Sequence, residues 1–268
     1  MYTQHQLLVL LVLQQYLGSS YREFVLVLET MTAILDELGI DEVPHFTTLN
    51  KFVSRIEDRV LDELLASFVD LVDGPLVTAI DSTGFVCTSA SRYYVMVIER
   101  SKDGVEAKKR AVRRHIKQTN VIDTRTQIIV AVRFRYGPDN DFGDAIPTLA
   151  IASGARSIAV VVGDKGYDST AIRRFVWYQL RAEAHIPLRE QRKHGSVSKS
   201  VYRRKQRAEF DAGKYHRRWL VETAHSSTKR TMRGDVLARS DARRFRELRL
   251  RAIAYNVRRE AKIMDEFY

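Results

Sequence analysis

At 268 residues, with 45% hydrophobic and 29% charged side chains, the chain can bury one good core plus a small accessory domain, and overall disorder is excluded. The 44 Lys and Arg against 33 Asp and Glu leave a net charge of +11, which favours a polyanionic partner, nucleic acid before membrane. A lone cysteine, Cys87, excludes an internal disulfide and a cysteine zinc cluster and suits a reducing, cytoplasmic interior.

In chain order, residues 1 to about 73 read as helical and separate from the rest of the chain. The apolar run Leu7–Leu13 is too short for a membrane span and lacks the flanks of a signal peptide, so it predicts a buried helix ending at Gly18-Ser19-Ser20. Ser20 and Glu23 form a capping box for a second helix whose Phe24, Val27, Leu28, Met31, Ile34, Leu35 and Leu38 recur at three- and four-residue spacing until Gly39. Pro44-His45-Phe46-Thr47-Thr48 opens a third helix, with Thr47 as its cap, that runs to Asp73-Gly74-Pro75. Such a unit is either a helix-turn-helix DNA reader or a plain helical scaffold.

After Pro75 the pattern becomes α/β. Leu76–Ile80 reads as a strand ending at Asp81-Ser82-Thr83-Gly84, Tyr93–Glu99 as a second, and 112–122 with 128–134 as a hairpin about the turn 123–126. A helix over 144–152, an apolar strand over 157–162, a helix over 169–180 and a strand over 184–188 come next, which predicts a mixed sheet with helices on its faces. Residues 189–207 carry eight Lys or Arg and one acid and read as a basic loop suited to tracking phosphates. From Asp241 a last helix carries Arg243, Arg244, Arg246, Arg249 and Arg251.

The stretch from Tyr215 to Lys229 reads as one helix. At about 100° per residue, Tyr215, Arg218, Glu222 and Lys229 fall within an arc of about 60°, opposite Leu220, Val221 and Ala224. One carboxylate thus stands in a row of phosphate-binding side chains. Two further acids come directly after apolar runs: Asp81 after Thr78-Ala79-Ile80, and Asp164 after Val160-Val161-Val162-Gly163. Each alone reads as a turn former. Three acids gathered in a basic protein would repel one another unless hard divalent cations shared them, which is the layout for two-metal phosphoryl transfer.

These residues resemble the DDE transposases of bacterial and archaeal insertion sequences. The resemblance lies in Ala79-Ile80-Asp81-Ser82-Thr83, in Gly163-Asp164-Lys165-Gly166-Tyr167-Asp168, and in Tyr215, Arg218, Glu222 and Lys229, which match the Y-R-E-K signature at every gap. It implies a ribonuclease-H-like catalytic domain over 74–268 behind a helical DNA-binding domain over 1–73. It also implies catalytic, metal-holding roles for Asp81, Asp164 and Glu222 with two Mg²⁺ or Mn²⁺. Tyr215, Arg218, Lys229, Lys165, Tyr167, Arg203 and Arg204 would then contact DNA. The implied partners are transposon terminal inverted repeats and target DNA, bound by a homodimer in the cytoplasm at the nucleoid. Only 57 residues separate Asp164 from Glu222, too few for the β-rich insertion of some relatives, so a hairpin mechanism linked to it is not implied. Glu222-x-x-His225 is also the di-iron bundle spacing, but a bundle needs a second copy, which the sequence lacks. The alternatives are a non-catalytic DNA-binding protein and a nuclease of the same core that cuts without joining.

Overall fold

The computed structural model describes residues 1–88, 115–137, 142–189 and 201–265, which pack as two units, each interrupted in sequence. One takes the described residues of Met1–Leu65, Phe85–Arg114 and Ser227–Tyr268, the other those of Ala66–Gly84 and His115–Ser226. The strand expected over Tyr93–Glu99 lies outside the described residues.

The second unit grows from β-branched runs. β4 (Ile158–Gly163) reads Ile-Ala-Val-Val-Val-Gly, with Val161 and Val162 fully buried, as a strand covered on both faces requires. β2 (His115–Asp123) and β3 (Ile129–Tyr136) make the expected antiparallel hairpin. Its turn is closed by the buried Asp123 carboxylate, which accepts from the amides of Arg125 and Thr126. β1 (Leu76–Cys87) and β5 (Glu183–His185) each pair in parallel with β4, and the strand order is β3-β2-β1-β4-β5. Ile80, Val121, Leu149, Val161, Tyr167 and Ile186 belong to one apolar cluster beneath these strands, each buried Leu, Ile or Val contributing about 1.5–3 kcal/mol. With helices Phe142–Ala155 and Thr170–Arg174 flanking it, this is a ribonuclease-H-like mixed sheet.

Two expectations change here. β1 does not end at Asp81: Ser82 and Thr83 continue it, because the Ser82 hydroxyl pairs with Thr119 Oγ1 of β2 at 2.8 Å instead of turning the chain. The end of β1, from Phe85, lies in the other unit, where β6 (Asp235–Val236) pairs with it. The basic segment expected as a loop holds a helix over Val201–Glu209; residues 190–200 lie outside the described residues.

The first unit contains α1 (Gln4–Tyr16), α2 (Tyr21–Leu28), α3 (Thr32–Leu38), α4 (Phe46–Arg55) and all but the last two residues of α5 (Asp58–Ser67). The Ser20–Glu23 capping box is present, but the helix it opens stops at Leu28, and a new one ends at Gly39, whose φ of 61° suits glycine. His45, not Thr47, caps α4, its Nδ1 accepting from the Thr47 amide at 3.5 Å. In this numbering the sheet helices are α6 (Phe142–Ala155), α7 (Thr170–Arg174) and α8 (Val201–Glu209); α9 (Ala212–His216) and α10 (Trp219–Met232) come after them, then α11 (Asp241–Asp265).

α11 packs on α1 and α4, and its arginines are spent inside the unit. Arg246 donates to Asp58 at 2.8 Å and to the carbonyls of Val53 and Ser54; Arg249 donates to Asp62 at 2.6 Å. The buried Arg251 holds Glu247, Gln15 and two carbonyls. The basic face legible in the sequence is thus largely a set of internal clamps. Among the described residues no helix is long and apolar enough to cross a membrane.

Candidate active site

In the parallel β1/β4 register Ile80 faces Gly163, so the next residue on each chain, Asp81 and Asp164, stands beside the other. The Asp81 side chain is only 18% exposed. Its carboxyl is pushed up to about 6, first by burial and then by the charges of Asp164 and Glu222, against the Ser82 amide and Arg218, which pull it down. Asp164 caps the 3₁₀ turn Lys165–Tyr167, its Oδ1 accepting from the Gly166 amide at 2.7 Å. A Cβ on Gly166 would meet that oxygen at 2.6 Å, so glycine is needed for amide and carboxylate to keep this contact.

Tyr167 is fully buried, with its hydroxyl 3.2 Å from Ser82 Oγ. It braces β1 next to Asp81 from the core; the sequence reading gave it a DNA contact, and its side chain has no exposed surface here. Lys165 is exposed beside it.

The signature stretch is not one helix. α9 carries Tyr215 and α10 carries Glu222, and between them the amides of Arg217, Arg218, Leu220 and Val221 each bond three residues back, a 3₁₀ pattern. The break arises from where α9 is tied: the Asp211 amide donates to His185 Nδ1 at 3.1 Å, and Lys214 Nζ reaches Glu183 of β5 at 2.5 Å. Tyr215 packs on Phe210, ring centroids 5.5 Å apart.

Glu222 sits in the first turn of α10 with its side chain 51% exposed. Arg218 Nη2 holds its Oε1 at 2.5 Å, and Nη1 of the same guanidinium lies 4.0 Å from Asp81 Oδ2. One arginine therefore spans the strand acid and the helix acid. His225, one turn beyond Glu222 and 7% exposed, places Nδ1 4.0 Å from Asp81 Oδ2. Sequence reasoning met this histidine only as half of a bundle motif; its i+3 spacing from Glu222 was the available signal. Lys229 belongs to the first unit, where Nζ lies 5.3 Å from the centroid of the Phe85 ring and burial lowers its pKa. Arg204 is exposed on α8, whereas the Arg203 guanidinium turns inward to Asp168.

Among the described residues, no three acids, histidines or cysteines are grouped to hold a metal as they stand. The donor chemistry nevertheless fits one. Asp81 and Asp164 are hard oxygen donors whose mutual repulsion a divalent cation would relieve, and Glu222 can join them by exchanging Arg218 for the cation.

A family model described as a transposase DDE domain matches residues 73–257, a span that includes all three acids. No curated protein matches the chain.

Proposed function

The chain belongs to the DDE transposase family, and on that premise we propose that it cuts DNA at transposon terminal inverted repeats and joins the freed 3′ ends to target DNA. The observation that carries this reading is the register that sets Asp81 beside Asp164, with Arg218 linking Asp81 to Glu222. In this reading the three carboxylates hold two Mg²⁺ or Mn²⁺. Such ions lower the pKa of an attacking water or 3′-hydroxyl and stabilise the leaving oxygen.

The chain's own residues do the rest. The buried walls around Asp81 keep water from screening its charge. The Gly166 amide fixes the Asp164 carboxylate, and Ser82 and Tyr167 fix the strand next to Asp81. Were Glu222 drawn to a cation, the Arg218 guanidinium that now holds it would be free to grip a phosphate with two donors. Tyr215, Lys229, Lys165 and Arg204 contact neighbouring phosphates, with Arg203 at the edge of the same basic helix. Residues 1–73 read the repeat, 74–268 carry the chemistry, and two protomers hold two ends.

The test is cleavage of an end-labelled duplex carrying the repeat, with and without Mg²⁺, by the wild type and by Glu222→Gln. Metal-dependent cuts at the repeat boundary that vanish in the variant, with subsequent transfer of the 3′ ends, support the proposal. Tight binding without cuts in Mg²⁺ would move the reading to a DNA-binding protein, and cuts without transfer to a nuclease.

A further inference from the structure

Four residues past Asp164, the Asp168 side chain is 1% exposed and yet charged, held well below the usual carboxylate range despite its burial. Three segments converge on it. Oδ1 accepts from Arg173 of α7, itself fully buried and also donating to the Ile186 carbonyl at 3.1 Å. Oδ2 accepts from the Arg189 amide at 2.6 Å and from Arg203 Nη2 of α8. Arg189 in turn donates Nε to the Lys165 carbonyl at 2.7 Å and Nη2 to the Gly166 carbonyl at 3.2 Å. Gly166 is the residue whose amide holds Asp164 Oδ1. A continuous chain of charge-assisted hydrogen bonds therefore runs from Arg203 through Asp168, Arg189 and Gly166 to the Asp164 carboxylate.

Two desolvated guanidiniums against one carboxylate is more than neutrality requires. Arg173 alone would neutralise Asp168, and it already anchors it to the strand end at Ile186. The second arginine adds a connection: it fastens the basic helix to the turn that carries a site acid. Arg204, its neighbour, points out and is exposed. The two adjacent arginines thus have opposite orientations, one toward the turn and one toward solvent.

We propose that Asp168 is a positioning residue through which helix α8 sets the Asp164 carboxylate, so that seating of the basic helix and readiness of the metal-holding acid are one event. This rests on the reading of Asp164 as a metal-holding acid. Removing Asp168 would leave two buried guanidiniums facing each other and risks the fold, so the decisive variants are at the outer link. Arg203→Gln leaves the Arg173–Asp168 pair and the Arg189 contacts in place, and Arg203→Lys keeps a charge but not the planar fork.

The experiment measures duplex affinity over a salt series, cleavage at saturating duplex, and Mn²⁺ affinity by electron paramagnetic resonance, for the wild type, Arg203→Gln, Arg203→Lys, Arg204→Gln and Asp164→Asn. A positioning role predicts that Arg203→Gln cuts at least tenfold more slowly on saturating DNA and binds Mn²⁺ about tenfold more weakly, scales usual for a partner behind a metal ligand, with Arg203→Lys intermediate. Arg204→Gln should instead weaken DNA binding and reduce the salt slope by about one, with cutting restored at saturation. If Arg203→Gln behaves as Arg204→Gln does, with Mn²⁺ affinity unchanged, Arg203 is a DNA contact and the proposal is overturned. If the wild type binds Mn²⁺ no better than Asp164→Asn and that variant cuts normally, the underlying reading of the acids fails instead.

Discussion

Two of the three acids grow out of neighbouring parallel strands, and the third stands on a helix that begins just after a break in the chain. Asp81 and Asp164 are placed by ladder register and a backbone amide, and the charge of Asp164 adds to the burial that raises the pKa of Asp81. Glu222 is half-exposed and answers only to a side chain, Arg218. If the three acids hold cations as proposed, the strand pair would set where a cation sits, and the helix acid, whose partner Arg218 can be exchanged, would set when the third ligand arrives.

The strongest way to break this contrast is Asp81→Asn. It should lower metal-dependent cleavage by about 10³-fold or more, the scale seen when one electrostatic stabiliser is removed, while duplex affinity stays near wild type. Retained cleavage would take Asp81 out of the site.

Stability should separate strand acid from helix acid in the opposite direction. The folded pKa of Asp81, about 6, lies above its ordinary 3.8, so its favourable contribution is whole below pH 4 and is lost as pH rises through 6. At pH 7 without divalent metal the ionised carboxylate then costs about 3 kcal/mol. Asp81→Asn should therefore unfold at a higher temperature than the wild type at pH 7 and at the same temperature at pH 4, whereas Glu222→Gln should change neither by much. Denaturation curves at the two pH values, in chelator, decide it; equal curves for wild type and Asp81→Asn at pH 7 would refute the burial argument.

Gly166→Ala sharpens the role of the backbone. The added methyl meets Asp164 Oδ1, the movable end of a side chain, so the fold should survive while the carboxylate shifts. Cleavage should drop about 10–100-fold, with a thermal midpoint within a few degrees of wild type. A normal rate would mean that Asp164 does not need the Gly166 amide.

The smallest effect is expected at Tyr215→Phe. The ring keeps its place on Phe210 and only the hydroxyl is lost, so duplex affinity should fall by less than about 1 kcal/mol with stability unchanged. A titration showing a tenfold loss would assign that hydroxyl a larger share.

Much of this was legible in the chain because it is local. The Ser20–Glu23 box, the hairpin about Asp123, the valine run of β4 and the spacing from Tyr215 to Lys229 are all read within short stretches of sequence. What was not legible depends on partners far away in sequence. Arg217, Arg218 and Trp219 are acceptable helix residues, and the break there comes from Lys214 and Asp211 being tied to β5. Ser82-Thr83-Gly84 looks like a turn until Thr119 is placed opposite Ser82. Tyr167 sits in a polar motif and yet belongs to the core, while the arginines of α11 meet acids of α5 that no spacing rule connects to them.

That last pairing bears on the order in which the protein is made. Leu10 and Leu11 of α1 are fully buried, and α1 packs on α11, which is synthesised long after it. Closing a loop of that length costs on the order of 5 kcal/mol in chain entropy, repaid only when Arg246, Arg249 and Arg251 reach Asp58, Asp62 and Gln15. Residues 1–65 should therefore leave the ribosome unfinished and wait for the rest. A message cut short before Asp241 would yield an amino-terminal helical unit that lacks its cover.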